Sequence, residues 1–264
     1  YVVSYEGMIF EVDFAGAAFA RTPAVKKSSV TWERRAHAMP ESIWSVEAVD
    51  TNGDGVKELV AMGVTKVLAV EVGKGKMETL FDAQEGKMLY CVALDADGDG
   101  DLDLALGRYL IPWIGYREAR AKGKAAPVEP KGPDFSVGWI ENRGRATEPW
   151  PLHVVDRELN GIHGLHAADV DGDGRTDVIA DSISGPALAN SVAWFSLAAR
   201  GGGDAARRVV TKSGADGRPH YLDFSDVNRD GRGDILLGDS GAGTFTWWAR
   251  GADDSLPWTK HRIA

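Results

Sequence analysis

The 264-residue chain has one cysteine, Cys91. A lone thiol excludes both a disulfide framework and a multi-cysteine zinc site. Long apolar runs are missing too: none approaches the ~18 residues that a spanning helix needs, so no membrane span is expected. Basic residues are outnumbered, 30 against 39, for a net charge of −9. A basic excess supplies most of the affinity for nucleic acid, so no nucleic-acid partner is expected. Long charged helical stretches are scarce. What is abundant is glycine, with 32, and tryptophan, with nine. Short apolar runs punctuated by glycine and rich in aromatics point to an all-β chain. With 44% hydrophobic residues, the chain can build a sizeable core rather than remain a disordered acidic tail.

The acids are clustered at fixed spacing. Four segments read Asp-x-(Asp/Asn)-x-Asp-Gly-x-x-(Asp/Glu): Asp50, Asn52, Asp54 and Glu58; Asp95, Asp97, Asp99 and Asp103; Asp169, Asp171, Asp173 and Asp177; Asp226, Asn228, Asp230 and Asp234. One Asp-Gly turn of this kind is ordinary; four copies form a repeat. Alternate carboxylates in a tight loop converge on one point, and the glycine permits the sharp turn. That is the donor set of a hard cation such as Ca²⁺, which takes six to eight oxygens. The loops are not EF-hands. The twelfth position, a Glu in that motif, is Ala61, Leu106, Ala180 or Leu237. Period-2 patterns flank each loop, as in Val46-Glu47-Ala48 before the first and Ile235-Leu236-Leu237 after the last. Each loop is therefore read as the turn of a β-hairpin.

Two more strand candidates follow each hairpin. The third strands are expected around Val67–Val70, Val137–Ile140, Val192–Phe195 and Phe245–Trp248; the fourth around Met77–Phe81, Trp150–Val155, Arg207–Val210 and Trp258–Ile263. Repeats of four short antiparallel strands fit the blades of a propeller. With its loops and blades, the chain from about residue 41 to 264 resembles the FG-GAP/VCBS repeat family of calcium-binding β-propellers, which includes the integrin α head. The resemblance implies about four Ca²⁺, one per loop, and does not select a ligand. It implies a single β-propeller domain with complete blades at about 41–84, 85–158, 159–213 and 214–264. The runs 1–5, 8–12 and 31–35 read as strands two to four of a partial first blade, about 1–40. The expectation is a fragment of a larger propeller, or a five-blade ring with one three-stranded blade.

In a propeller the first strand lines the central channel and runs into the acidic loop. Positions two and four before each loop are apolar and should pack between blades; Cys91 is one of them and reads as core. Six positions before are Trp44, Leu89, His163 and His220; three before are Glu47, Val92, His166 and Asp223. Polar groups thus replace apolar ones in the last two blades, at the channel mouth opposite the loops. His163, His166, His220 and Asp223 could act in acid–base chemistry or hold a second metal. The plain alternative is wet channel lining. Residues 108–135 form an insertion on the same face, read as a long connection without regular structure, solvated over 121–131. Arg108, Tyr109 and Trp113 from it, with Asp181 and Asp239 at the ends of second strands, make an aromatic, Arg and Asp mixture suited to a sugar. The Trp-x-x-His pairs Trp150/His153 and Trp258/His261 recur on outer strands and read as blade packing.

Two functions emerge. One is a secreted Ca²⁺-binding propeller that binds a carbohydrate or protein on the face opposite the loops. The other is a sugar-active enzyme, of lyase or dehydratase type, on the same scaffold. An extracellular or periplasmic location follows from the need for calcium, since weak sites fill only at millimolar Ca²⁺. The charge then takes a different meaning. Fourteen of the 39 acids occupy the sixteen loop positions, which leaves 25 acids against 30 bases. Much of that base lies in the 108–135 insertion, where an anionic sugar or acidic partner is expected.

Overall fold

The computed structural model describes residues 2–4, 8–14, 32–71, 74–109, 111–125, 128–144, 149–183, 190–197, 205–211, 218–240, 243–252 and 257–263, with side chains from residue 38 onward except at 111 and 112. Residues 1, 5 and 31 of the first strand readings lie outside these. The described chain forms nineteen strands and one helix. Strands β1 (Val2–Ser4), β2 (Met8–Phe14) and β3 (Trp32–Ala38) make a three-stranded sheet. Four four-stranded sheets follow: β4 (Ile43–Val49) to β5 (Glu58–Gly63), β6 (Lys66–Glu71) and β7 (Lys76–Asp82); β8 (Lys87–Leu94) to β9 (Asp103–Tyr109), β10 (Val137–Ile140) and β11 (Leu152–Asp156); β12 (Leu165–Ala168) to β13 (Asp177–Ser182), β14 (Ser191–Ser196) and β15 (Ala206–Thr211); and β16 (Pro219–Ser225) to β17 (Asp234–Asp239), β18 (Thr244–Ala249) and β19 (Thr259–Arg262). Every sheet is an antiparallel meander in chain order, as read from the alternating patterns.

The core is the set of spaces between successive sheets. Val60, Met62 and Leu80 of the second sheet pack with Met88, Cys91 and Leu106 of the third. Ala105, Val137 and Trp139 of the third pack with Val178, Ala193 and Phe195 of the fourth. Ile179, Val192 and Trp194 of the fourth pack with Ile235, Leu237 and Trp248 of the fifth. The middle strands are therefore buried on both faces; β5, β9 and β13 have almost no exposed residue. Each such side chain stabilises the packed state by ~1.5–3 kcal/mol relative to exposure. The first strands β4, β8, β12 and β16 lie against one another in order, so residues at their starts are neighbours across sheets. Cys91 is buried, with its sulfur 3.3 Å from Ser45 Oγ, and burial pushes its thiol up to about 12. It is a core residue, as read.

The insertion departs from expectation. Residues 111–121 are a helix, α1 (Ile111–Ala121), not an irregular connection. The local causes are plain. Pro112 suits a first turn. Trp113 and Tyr116, three apart, meet edge to face with ring centroids 5.9 Å apart. Glu118 pairs with Lys122 one turn on. Gly123, at φ +62°, ends the helix, its N–H bonding Arg120 O while Lys124 N–H reaches Ala119 O.

Candidate functional site

At one end of the four-stranded sheets stand the acidic loops, all built alike. The opening Asp accepts backbone N–H groups with both oxygens: Asp95 Oδ1 takes Gly98 N at 2.7 Å and Oδ2 takes Gly100 N at 3.1 Å, with the same pattern at Asp50 and Asp169, while Asp226 takes Asp230 N and Gly231 N, each at 3.0 Å. The glycine of the motif has positive φ in every loop: Gly55, Gly100, Gly174 and Gly231. The closing acid begins the second strand and is buried. One of its oxygens accepts the N–H of the loop's second residue at 2.9–3.0 Å: Thr51 to Glu58, Ala96 to Asp103, Val170 to Asp177 and Val227 to Asp234. Burial, reinforced by the neighbouring loop acids, raises the Asp103 and Asp177 carboxyls to about 6 against the pull of those N–H bonds.

Two loops gather donors as a cation needs. Asp95, Asp97 and Asp99 bring three oxygens within 4.8 Å of one another, as do Asp169, Asp171 and Asp177. Either cluster could hold a metal ion. Asp177 Oδ1 is buried without a hydrogen-bond partner, as expected of a group awaiting a cation. In the other two loops Asn52 and Asn228 replace one acid, and Asp230 is drawn 2.7 Å from Arg232.

The opposite end brings together residues from three sheets. Tyr109, the last residue of β9, places its hydroxyl 2.9 Å from His163 Nε2. The His163 and His220 rings lie 4.1 Å apart at 45°. Tyr221 flanks His220 at 5.3 Å and is exposed. His220 is turned toward this end by a β-bulge. The register of β16 on β17 shifts between Pro219 and Tyr221, and β4 and β8 shift likewise around Trp44 and Leu89. A bulge re-aims a side chain that strict alternation would send between the sheets. Gly161, at φ +68°, lets the Tyr109 ring lie close: a Cβ there would sit 2.7 Å from Tyr109 Cε1.

Beneath His163 lies Asp181, wholly buried. Its Oδ1 accepts the His163 backbone N–H at 2.6 Å, while its Oδ2 is buried without a partner. Burial raises this carboxyl well above the carboxylate range, against the pull of the His163 and Gly164 N–H groups. His163 is pushed down to about 4 by burial, then by His220 and Arg218. It is neutral at physiological pH and can accept the Tyr109 proton. Burial also raises the Tyr109 phenol, so it keeps that proton.

The four histidine and aspartate candidates divide into two pairs. His163 lies against His220 with the rings tilted, and His166 Nε2 faces Asp223 Oδ1 at 3.9 Å. They are not among the described groups that converge three donor atoms, so a second metal held by all four gains no geometric support. Of the ligand candidates, Tyr109 stands in the cluster and Asp181 under it. Asp239 accepts the Arg218 backbone N–H at 3.1 Å. Arg108 is completely buried: it donates to Pro133 O and Glu85 O and lies over the Phe135 ring at 4.7 Å. Trp113, on α1, is buried against Tyr116 of the same helix. Both side chains are buried. The outer-strand histidines pack as read, although on a different tryptophan: His153 stacks on Trp139 at 4.0 Å and His261 on Trp247 at 4.1 Å. Arg218 and Tyr221 were missed. The signal available was their position, flanking Pro219 and His220 at the start of a first strand.

No known family's sequence model matches the chain, and no curated protein matches it.

Proposed function

We propose that the chain is a calcium-binding β-propeller of FG-GAP/VCBS type that acts on a sugar by acid–base elimination. Consecutive meander sheets with adjacent first strands support the propeller. The four like-built loops, two with converged donors, support Ca²⁺ in each loop, held by the acids named above. The ion would neutralise the loop carboxylates and fix the hairpin turns. That need for calcium favours an extracellular or periplasmic setting.

The observation that carries the enzymatic reading is the 2.9 Å contact between the Tyr109 hydroxyl and His163 beside the His220 ring. Elimination needs a base to take a proton from carbon and an acid to protonate the departing oxygen. His220 is assigned as the base. Tyr109 is the acid, held in line by neutral His163, and Asp181 fixes the His163 backbone from below. The test is incubation with a panel of polysaccharides, monitoring new double bonds and new reducing ends. Tyr109→Phe and His220→Ala should each lower turnover by at least about 100-fold. A panel that is bound and left intact would sink the enzymatic reading.

One observation favours a second reading, a carbohydrate-binding propeller without turnover: Tyr221, exposed beside His220, offers an aromatic face for a sugar ring to stack on. Loss of affinity in Tyr221→Ala, with no product formed by the parent protein, would select it.

A further inference from the structure

The chemistry of elimination limits which sugar the site can use, and Arg218 meets that limit. A proton on carbon becomes removable by a weak base only when an adjacent carboxylate or carbonyl accepts the developing charge. A carboxylate does so poorly unless a cation pairs with it, because removal of the proton adds a second negative charge. Arg218 is exposed two residues before His220. Its backbone is pinned on both sides: its N–H donates to Asp239 Oδ1 at 3.1 Å, and its carbonyl accepts Ser240 N–H at 3.2 Å. Pro219 then restricts the chain before the His220 bulge. The backbone that carries the guanidinium is thus fixed two residues from His220, at the start of β16. Among the described residues no acidic side chain forms an ion pair with it.

The nearby acids are committed elsewhere. Asp181 is buried against the His163 N–H, Asp239 holds the Arg218 backbone, and Asp223 faces His166. Tyr109 and His163 are both uncharged at neutral pH. The Arg218 charge reaches both of them, lowering each group's affinity for its proton. Among the described residues, Arg218 thus brings a permanently charged planar donor with no ion-pair partner to this end, beside the Tyr109–His163 pair. A guanidinium matches a carboxylate with two parallel hydrogen bonds. The basic insertion expected to attract an anion does not place its first residue there: Arg108 is buried and bonded to carbonyls.

We propose that the substrate is a uronate-containing glycan whose carboxylate docks on Arg218, and that the reaction is β-elimination next to that carboxylate. This rests on the acid–base reading of the same cluster. His220 removes the proton from the carbon bearing the carboxylate. The C–H electron pair becomes the new C=C bond, the bond from the β carbon to the glycosidic oxygen breaks, and the Tyr109 hydroxyl protonates that oxygen. Return of the proton from His220 to Tyr109 resets the site. One proton moves from carbon to oxygen and no oxidant or reductant is consumed.

The experiment uses the full chain with Ca²⁺ and three probes, polygalacturonate, alginate and hyaluronan, each beside its carboxyl-reduced neutral form. Binding is read by calorimetry and elimination by the absorbance of the unsaturated uronate. At least one acidic polymer should bind and be cleaved, and its reduced form should be neither. Arg218→Gln should weaken binding or raise KM by roughly 10- to 100-fold, with its melting temperature unchanged and with partial recovery in Arg218→Lys. Turnover of a neutral polymer, lost in Tyr109→Phe and unaffected by Arg218→Gln, would overturn the uronate assignment and leave the acid–base site standing. No binding to any acidic polymer, or binding that Arg218→Gln leaves unchanged, would overturn it as well. Uronate binding lost in Arg218→Gln without unsaturated product would keep Arg218 as the anion contact and refute the elimination.

Discussion

Asp181 and His163 are joined by a 2.6 Å hydrogen bond from the histidine's backbone N–H to the buried carboxyl. Its burial keeps it protonated far above the range in which it would ionise in an unfolded chain. Between those two limits the unfolded state has released the proton and the folded state has not. Stability must therefore fall as pH rises from about 4 upward on account of this group.

Asp181→Asn keeps an oxygen for the His163 N–H and cannot ionise. Thermal melts of the parent and variant across pH 5 to 9 should diverge, with the variant gaining relative stability as pH rises. Parallel pH curves would mean that Asp181 is ionised in the fold.

Calcium should stabilise the chain, and more so near pH 7 than near pH 5. Asp103 and Asp177 are raised to about 6, above the ordinary carboxylate value of about 4. Without a cation, folding opposes their ionisation, so their contribution is lost as pH rises from about 4 through 6. A bound cation requires the ionised form and reverses that penalty. At 100 times its Kd an ion stabilises by ~2.7 kcal/mol per site. Calorimetric melts with Ca²⁺ and with chelator at the two pH values check this. Asp171→Asn should reduce the calcium-dependent shift.

Arg108 should be structural. Arg108→Ala removes the donor to Pro133 O and Glu85 O and empties the space over Phe135. The expected cost is about 3 kcal/mol or more, visible as a fall in denaturant midpoint. A variant that folds as stably as the parent while losing sugar binding would return Arg108 to the ligand face.

Gly161→Ala tests the close approach behind Tyr109. The added methyl meets the Tyr109 ring at 2.7 Å and the backbone is at positive φ. Tyr109 should be displaced from His163, with turnover lost while the secondary structure persists. Activity equal to the parent's would show that the 2.9 Å contact is dispensable. His153→Ala, on an outer strand, should cost only ~0.5–1.5 kcal/mol through lost stacking on Trp139 and leave activity intact.

What could be read from the amino-acid sequence is what is local. The acidic loops are nine-residue patterns with strands on both sides, so hairpins, sheet order and the burial of Cys91 follow from spacing alone. The equivalent positions of His163 and His220 were also visible, because the loops align the first strands. Helix α1 was missed although Pro112, the Trp113/Tyr116 pair and Gly123 mark its start, face and end; the Lys- and Ala-rich composition just after it reads as a solvated loop. The burial of Arg108 has no local signal, since an arginine is usually exposed. The contact of Tyr109 with His163 is likewise invisible, because it depends on how two sheets are placed, not on what either strand prefers.

Each sheet pairs only strands that are consecutive in the chain, so every ladder can form with its chain neighbours alone. Tyr109, by contrast, ends β9 of one sheet, while His163 lies 54 positions on, in the connection that leads into β12 of the next. The cluster thus exists only once separate meanders have docked in the right order and orientation. A chain with every strand formed and one sheet misplaced would keep its β spectrum and lose the site. The Tyr109–His163 contact is therefore a stricter reporter of correct assembly than secondary structure can be.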